Sequence, residues 1–277
     1  MAQILVVGGS GTVGSEIVKI LAAEGHSVRV TTSKPTSEAG KVHINLTTGE
    51  GLDAAFAGID RAFFLSPGGY ADQYAILAPL IKKAKEAGLK KVVLMTALGV
   101  DGAEGSPLYR AEQDLIASGL AYNIVRPSWF MQNFNTYWVY GIKELNSIAL
   151  PAGDGKAGFI DVRDIAAVAA KLLTDDSRNN QGFTITGPEA FSHDEVAALI
   201  SEATGKKVTY TEITPEAFKA VLVGAGVNEP YADLLVTLMS YIKAGYTGLV
   251  NDAVKEITGK APRTFKAYAQ EFKGSWV

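Results

Sequence analysis

Residues 6–35 read VVGGSGTVGSEIVKILAAEGHSVRVTTSKP, and the glycines at its head decide the fold. Gly8, Gly9, Gly11 and Gly14 crowd the turn between an apolar run at 4–7 and a segment with helical periodicity in Val13, Ile17, Val18, Ile20 and Leu21. Glycine costs backbone entropy, so the turn must need a conformation or a close approach that other residues deny. Gly9, Gly11 and Gly14 also stand in the spacing G-x-G-x-x-G. Strand, glycine turn, helix and a second apolar run at 28–32 follow one another as in a βαβ unit. Such a turn brings backbone N–H groups and a helix N-terminus against a pyrophosphate.

The far end of the same stretch lacks something. A dinucleotide site that holds unphosphorylated ribose hydroxyls carries Asp or Glu at the end of the second strand. Here Thr31, Thr32, Ser33 and Lys34 occupy that place, and no carboxylate comes before Glu38. Hydroxyls and an ammonium group hold a 2′-phosphate that a carboxylate would repel. The expected cofactor is therefore NADP(H), with NAD(H) as the alternative.

Outward from this unit, short apolar runs alternate with helical patterns. Strands are expected at 4–7, 28–32, 42–45, 62–65, 92–95 and 123–125, with a later one at 183–185. Helices are expected near 12–24, 51–57, 70–87, 107–118 and 162–174. That alternation predicts a doubly wound parallel sheet of the α/β class. From about residue 188 the pattern turns mostly helical, with candidates at 193–204, 215–224, 229–243, 250–257 and 264–272. Ser192 with Glu195 forms a capping box, and Thr214-Pro215 a cap followed by proline. The expected division is a nucleotide-binding domain at 1–187 and a smaller, mostly helical substrate-capping region at 188–277.

Bulk properties exclude several classes. The chain has 277 residues, 47 % of them hydrophobic, a net charge of −3 and no cysteine. Without a basic run it lacks the footprint of a nucleic-acid binder. Without cysteine it has no disulfide, thiolate catalysis or cysteine zinc site. His26, His43 and His193 have no ligand-like spacing, so no metal is expected. No apolar segment is long enough to span a bilayer, and the first residues do not read as a signal peptide. A cytoplasmic protein without membrane or nucleic-acid partners is expected, monomer and homodimer both remaining open.

The whole pattern resembles the NmrA-like branch of the atypical short-chain dehydrogenases. The likeness rests on the glycine turn, Asn45-Leu46, Leu65-Ser66-Pro67 and Met95-Thr96-Ala97-Leu98-Gly99. It continues in Ser118-Gly119-Leu120, VRPSWFMQNF (125–134), FIDVRDIA (159–166) and EITGKAPRTF (256–265). The resemblance implies a Rossmann-type fold and an NADPH-dependent reductase of quinones, azo or triphenylmethane dyes, or imines. It implies that Gly8, Gly9, Ser10, Gly11, Thr12, Val13 and Gly14 cradle the pyrophosphate, with Thr32, Ser33 and Lys34 at the ribose phosphate. Asn45 and Leu46 would border the adenine, and Leu65, Ser66 and Pro67 would pass over the cofactor. Thr96, Ala97 and Pro127 would lie at the nicotinamide end, which Ser128 also approaches. Trp129, Phe130, Phe134 and Trp138 would meet a small aromatic or conjugated substrate. Two positions depart from the family: Ser33 stands where many relatives have arginine, and Asn45 where they often have aspartate.

The chemistry lacks its customary acid. Typical short-chain dehydrogenases pair a tyrosine with a lysine one helical turn later, which lowers the phenol pKa from about 10. Here Tyr109, the candidate catalytic residue, is followed at that distance by Gln113, and Arg110 faces elsewhere. Acceptors that are already electron-poor neutralise or spread an arriving hydride charge and mainly need orientation. The rival reading is a redox sensor that binds NADP(H) and a protein partner without catalysis. A third is an isomerase or lyase that uses the dinucleotide only structurally. Asp161, Arg163 and Asp164 read as a structural helix start, and His193, beside the cap Ser192, as a surface residue.

Overall fold

The six apolar runs of the first half, with the later one at 183–185, become neighbouring strands in a computed structural model that describes residues 2–277. They are β1 (Gln3–Val6), β2 (Ser27–Thr32), β3 (Lys41–His43), β4 (Arg61–Phe64), β5 (Lys91–Met95) and β6 (Ala121–Pro127). β7 (Ser147–Leu150) pairs elsewhere, and β8 (Gln181–Ile185) completes a seven-stranded sheet in the order β3-β2-β1-β4-β5-β6-β8. Every pairing from β3 through β6 is parallel. Strands covered on both faces must be apolar on both, which is why Ile4, Leu5, Val6 and Val7 are all buried.

Helices lie on the two faces. α1 (Thr12–Ala23) buries Val13, Ile17 and Leu21, spaced four apart on one face, and packs against α6 (Val162–Thr174). The short α2 (Leu52–Phe56), α3 (Gln73–Glu86) and α4 (Pro107–Ala117) bury Phe56, Leu77, Leu80, Ile81, Ala111 and Leu115 against Leu5, Val7, Phe64 and Leu94. Asp72 caps α3 and Ser106 caps α4, each accepting a backbone N–H of the first turn.

The molecule divides into two units. The first comprises Met1–Gly68, Asp72–Pro127 and Val162–Thr184; the second comprises Gly69–Ala71, Ser128–Asp161 and Ile185–Val277. The expected contiguous boundary at 187/188 thus differs from the observed division, because residues 128–161 belong with the C-terminal stretch. Their apolar side chains (Met131, Phe134, Ile142, Ile148, Leu150 and Phe159) bury with Val196, Phe265, Tyr268 and Trp276. The indole N–H of Trp276 donates to Phe134 O at 2.8 Å and ties the two stretches together.

The second unit contains α5 (Val139–Leu145), α7 (His193–Thr204), β9 (Thr209–Glu212), α8 (Pro215–Gly224), α9 (Glu229–Lys243), α10 (Ala253–Thr258) and α11 (Phe265–Phe272). β7 and β9 form a two-stranded parallel sheet running from Ser147 opposite Thr209 to Leu150 opposite Glu212. Neither strand was expected from the sequence. Thr209–Glu212 reads TYTE, with no apolar run, and is held by pairing and by Tyr210, whose hydroxyl donates to Leu150 O (2.8 Å) and accepts from Ala152 N–H (3.1 Å). The capping box of α7 forms as expected: Ser192 Oγ accepts Glu195 N–H, and Glu195 accepts Ser192 N–H.

His193 requires a correction. It is 0 % exposed, not a surface residue. Its ring packs among Phe134, Trp138, Phe159 and Tyr210, and neither ring nitrogen has a hydrogen-bond partner among the described residues. Burial alone pushes its pKa down from 6.5 to about 4.

Candidate functional site

In an open parallel sheet, ligands bind outside the carboxyl ends of the strands, where the strand order reverses. Here that point falls between β1 and β4. The turn after β1 is fixed by Gly8, which has φ of +73°, accepts Gly11 N–H (2.9 Å) and donates its own N–H to Thr31 Oγ1 (3.1 Å). The start of α1 lies flush on this turn: a Cβ on Gly14 would stand 2.2 Å from Gly8 O. α1 has no side-chain cap and no acidic residue in its first turn. Among the described residues no backbone carbonyl accepts the N–H groups of Thr12, Val13 or Gly14. A glycine-lined turn with unpaired helix-N-terminal donors fits the diphosphate of a dinucleotide.

The neighbouring loops border this turn. The Thr32 hydroxyl accepts Lys34 N–H (3.2 Å) and donates to Lys34 O (3.3 Å), which leaves Ser33 and Lys34 exposed at the end of β2. No carboxylate forms an ion pair with Lys34 among the described residues. After β3, Asn45 Oδ1 accepts the N–H groups of Thr47 and Thr48 (2.9 and 3.1 Å), shaping a loop from which half-buried Leu46 packs against the core. After β4, Leu65 lies over the glycine turn, where a Cβ on Gly8 would sit 3.2 Å from its Cδ1. Ser66 and Pro67 follow, both half-buried.

A buried polar cluster holds the ends of β5 and β6. Thr96 Oγ1 donates to Glu112 Oε1 at 2.6 Å. Arg126 grips the same carboxylate through Nε (2.9 Å) and Nη2 (2.6 Å) and reaches Asp101 through Nη1 (3.3 Å). Burial presses the guanidinium pKa down, but its bonds and charge contacts with Glu112 and Asp101 outweigh this, so it stays above its ordinary value. Thr96 N–H donates to Val125 O, and Leu98 N–H to Pro127 O, which stitches the two strand ends together.

Tyr109, at the third residue of α4, is half-buried, while Gln113 is exposed. Arg110 lies with its guanidinium 3.8 Å above the Tyr74 ring, and Tyr74 donates to Asp114 (2.7 Å). Neither Gln113 nor Arg110 takes the place of the missing lysine.

In the second unit, the backbone at Trp129, Phe130 and Met131 runs alongside Ile160 and is bonded to it by Ile160 N–H to Trp129 O (2.8 Å) and Met131 N–H to Ile160 O (2.9 Å). Trp129 and Trp138 are half-buried with ring centroids 6.4 Å apart. Phe134 lies wholly inside the core, edge-on to Trp138 at 4.7 Å, so it packs behind that indole. Tyr137 is 82 % exposed. Ser128 Oγ is buried without a hydrogen-bond partner among the described residues. The buried Asp161 carboxylate accepts from Gln132 Nε2 at 3.1 Å.

Sequence reading missed Thr31 as the partner of Gly8, and it missed Glu112 with Arg126. The signal for the latter was present. Leu108, Ala111 and Leu115 mark the inward face of α4, and Glu112 shares their phase. Arg126 interrupts the apolar run of β6. Two opposite charges at core positions imply one buried pair.

The model of the NmrA-like family matches residues 1–269. The chain is 38 % identical to the NAD(P)H azoreductase of Xenophilus azovorans, the match covering 97 % of each chain. It is 33 % identical to an uncharacterized oxidoreductase of Bacillus subtilis, over 99 % of this chain and 96 % of that one. Among solved structures, the NADP(H) complex of the Citrobacter sp. triphenylmethane reductase superposes with a TM-score of 0.82 over 98 % of this chain and 99 % of that one. At 22 % identity that likeness speaks for the fold alone. With the glycine turn, the strand order and the family match in agreement, the chain belongs to the NmrA-like family.

Proposed function

We propose that the chain is an NADPH-dependent reductase that delivers hydride to an electron-poor, conjugated acceptor of the quinone, azo or imine/iminium type. As a family member akin along its whole length to an NAD(P)H azoreductase, it is an NAD(P)H-dependent oxidoreductase. The glycine turn with its unpaired helix donors is the observation that carries nucleotide binding. Gly8 through Gly14 would hold the diphosphate, and Thr32, Ser33 and Lys34 the phosphate of the adenosine ribose. Bound NADPH would supply the hydride.

The acceptor class follows from what α4 lacks. With exposed Gln113 in the lysine position, α4 lacks the cation that partners the tyrosine of a typical short-chain dehydrogenase in proton delivery. An acceptor that needs a strong positioned acid is therefore disfavoured, and one that needs only orientation is favoured. Trp129, Phe130 and Trp138 are proposed to contact it, flat indole and phenyl faces suiting a conjugated ring system. Phe134 backs Trp138 from the core.

The test is NADPH consumption with a quinone, an azo dye and a cyclic imine in parallel. Oxidation with at least one of them is expected. Saturable NADPH binding with no turnover on any would contradict the enzyme and leave a nucleotide-responsive sensor.

A further inference from the structure

An ion pair sealed inside a protein contributes little net stability, because desolvation offsets most of the attraction. Glu112 is 0 % exposed, and Arg126 nearly as buried. Their geometry nevertheless serves a third residue. The Glu112 carboxylate takes two guanidinium donors, one on each oxygen, and in that pairing both oxygens serve as acceptors. The 2.6 Å contact to Thr96 must then carry the hydroxyl proton of Thr96 towards Glu112. Thr96 Oγ1 is left with lone pairs alone for any other partner.

Its place gives that polarity a use. Thr96 directly follows β5, one strand beyond β4 from the switch point. With the diphosphate on the β1–α1 turn and the phosphorylated ribose at the end of β2, the nicotinamide half of a dinucleotide extends the opposite way, over the ends of β4 and β5. We propose that Glu112, gripped by Arg126, is a positioning residue that accepts the Thr96 hydroxyl hydrogen bond and so makes Thr96 Oγ1 a fixed hydrogen-bond acceptor for a donor on the nicotinamide half, either a ribose hydroxyl or the carboxamide N–H. This rests on the NADPH-binding reading above. It also assigns Thr96 an orienting role and excludes it as the proton source.

Equilibrium binding tests this without turnover. Dissociation constants are measured for NADPH and for the adenosine bisphosphate fragment that keeps the 2′-phosphate but lacks the nicotinamide half. T96V should weaken NADPH about threefold to tenfold, the scale of one hydrogen bond, and leave the fragment unchanged. T96S should restore NADPH binding. The double variant E112Q/R126M removes both charges and so avoids stranding one in the core. It should weaken NADPH similarly, and adding T96V to it should cost nothing more. Unchanged NADPH binding in T96V, equal weakening of the fragment, or full additivity of T96V with E112Q/R126M would each overturn the proposal. If the unaltered protein binds neither ligand, the functional reading falls and this inference with it.

Discussion

Lys34 carries a positive charge at the end of β2 that no carboxylate neutralises among the described residues, on a turn fixed by the Thr32 hydroxyl. In the proposed cofactor site, a charge held there would distinguish a phosphorylated ribose from a plain one. Lys34→Glu is expected to weaken NADPH about tenfold to a hundredfold, the effect of exchanging one charge-assisted contact for repulsion. NADH should be almost unaffected. Titration of both cofactors checks this, and equal affinities before and after the change would remove Lys34 from the site. At this scale the sequence was legible wherever one residue type has one physical use. Gly14 is such a case, since its Cβ position lies 2.2 Å from a carbonyl oxygen. Glu112 was less legible, because a carboxylate within a helical pattern is ordinarily solvated, and only its phase among Leu108, Ala111 and Leu115 shows otherwise.

Among the elements, α7 joins a legible feature to an illegible one. Its capping box is local chemistry, two reciprocal bonds between Ser192 and Glu195, and could be read from spacing. The direction of His193 could not, because packing against Phe134, Trp138, Phe159 and Tyr210 decides it. That burial has a consequence for stability. Between its ordinary pKa of 6.5 and its folded value of about 4, the unfolded chain binds the proton that the folded chain refuses. Stability should therefore fall as pH drops through this window, by roughly 3 kcal/mol from this group. Denaturant unfolding of the protein and of His193→Phe, compared at several pH values from neutral to acidic, should show a shallower loss in the variant. Equal slopes would mean that the imidazole titrates normally. The strand β9 was illegible for a related reason: a polar TYTE segment becomes a strand only through its partner.

For the whole molecule, the parallel sheet and its flanking helices could be read because strands buried on both faces must be apolar throughout. The division into units could not. Residues 128–161 sit in sequence between sheet elements and declare themselves only by the aromatic core that they share with 185–277. The tyrosine without its lysine was visible from sequence, and the structure adds that Gln113 is exposed and Arg110 is engaged with Tyr74.

The proposed reaction is direct hydride transfer to an electron-poor acceptor that needs no strong acid. It is tested most directly with NADPH carrying deuterium at its transferable position and an acceptor whose reduction forms a carbon–hydrogen bond, such as a cyclic iminium ion or a cationic triarylmethane dye. The deuterium should appear on the carbon of the reduced product and be retained there in ordinary water, since a hydrogen on carbon does not exchange. Reduced product without the label, formed while NADPH is consumed, would contradict it.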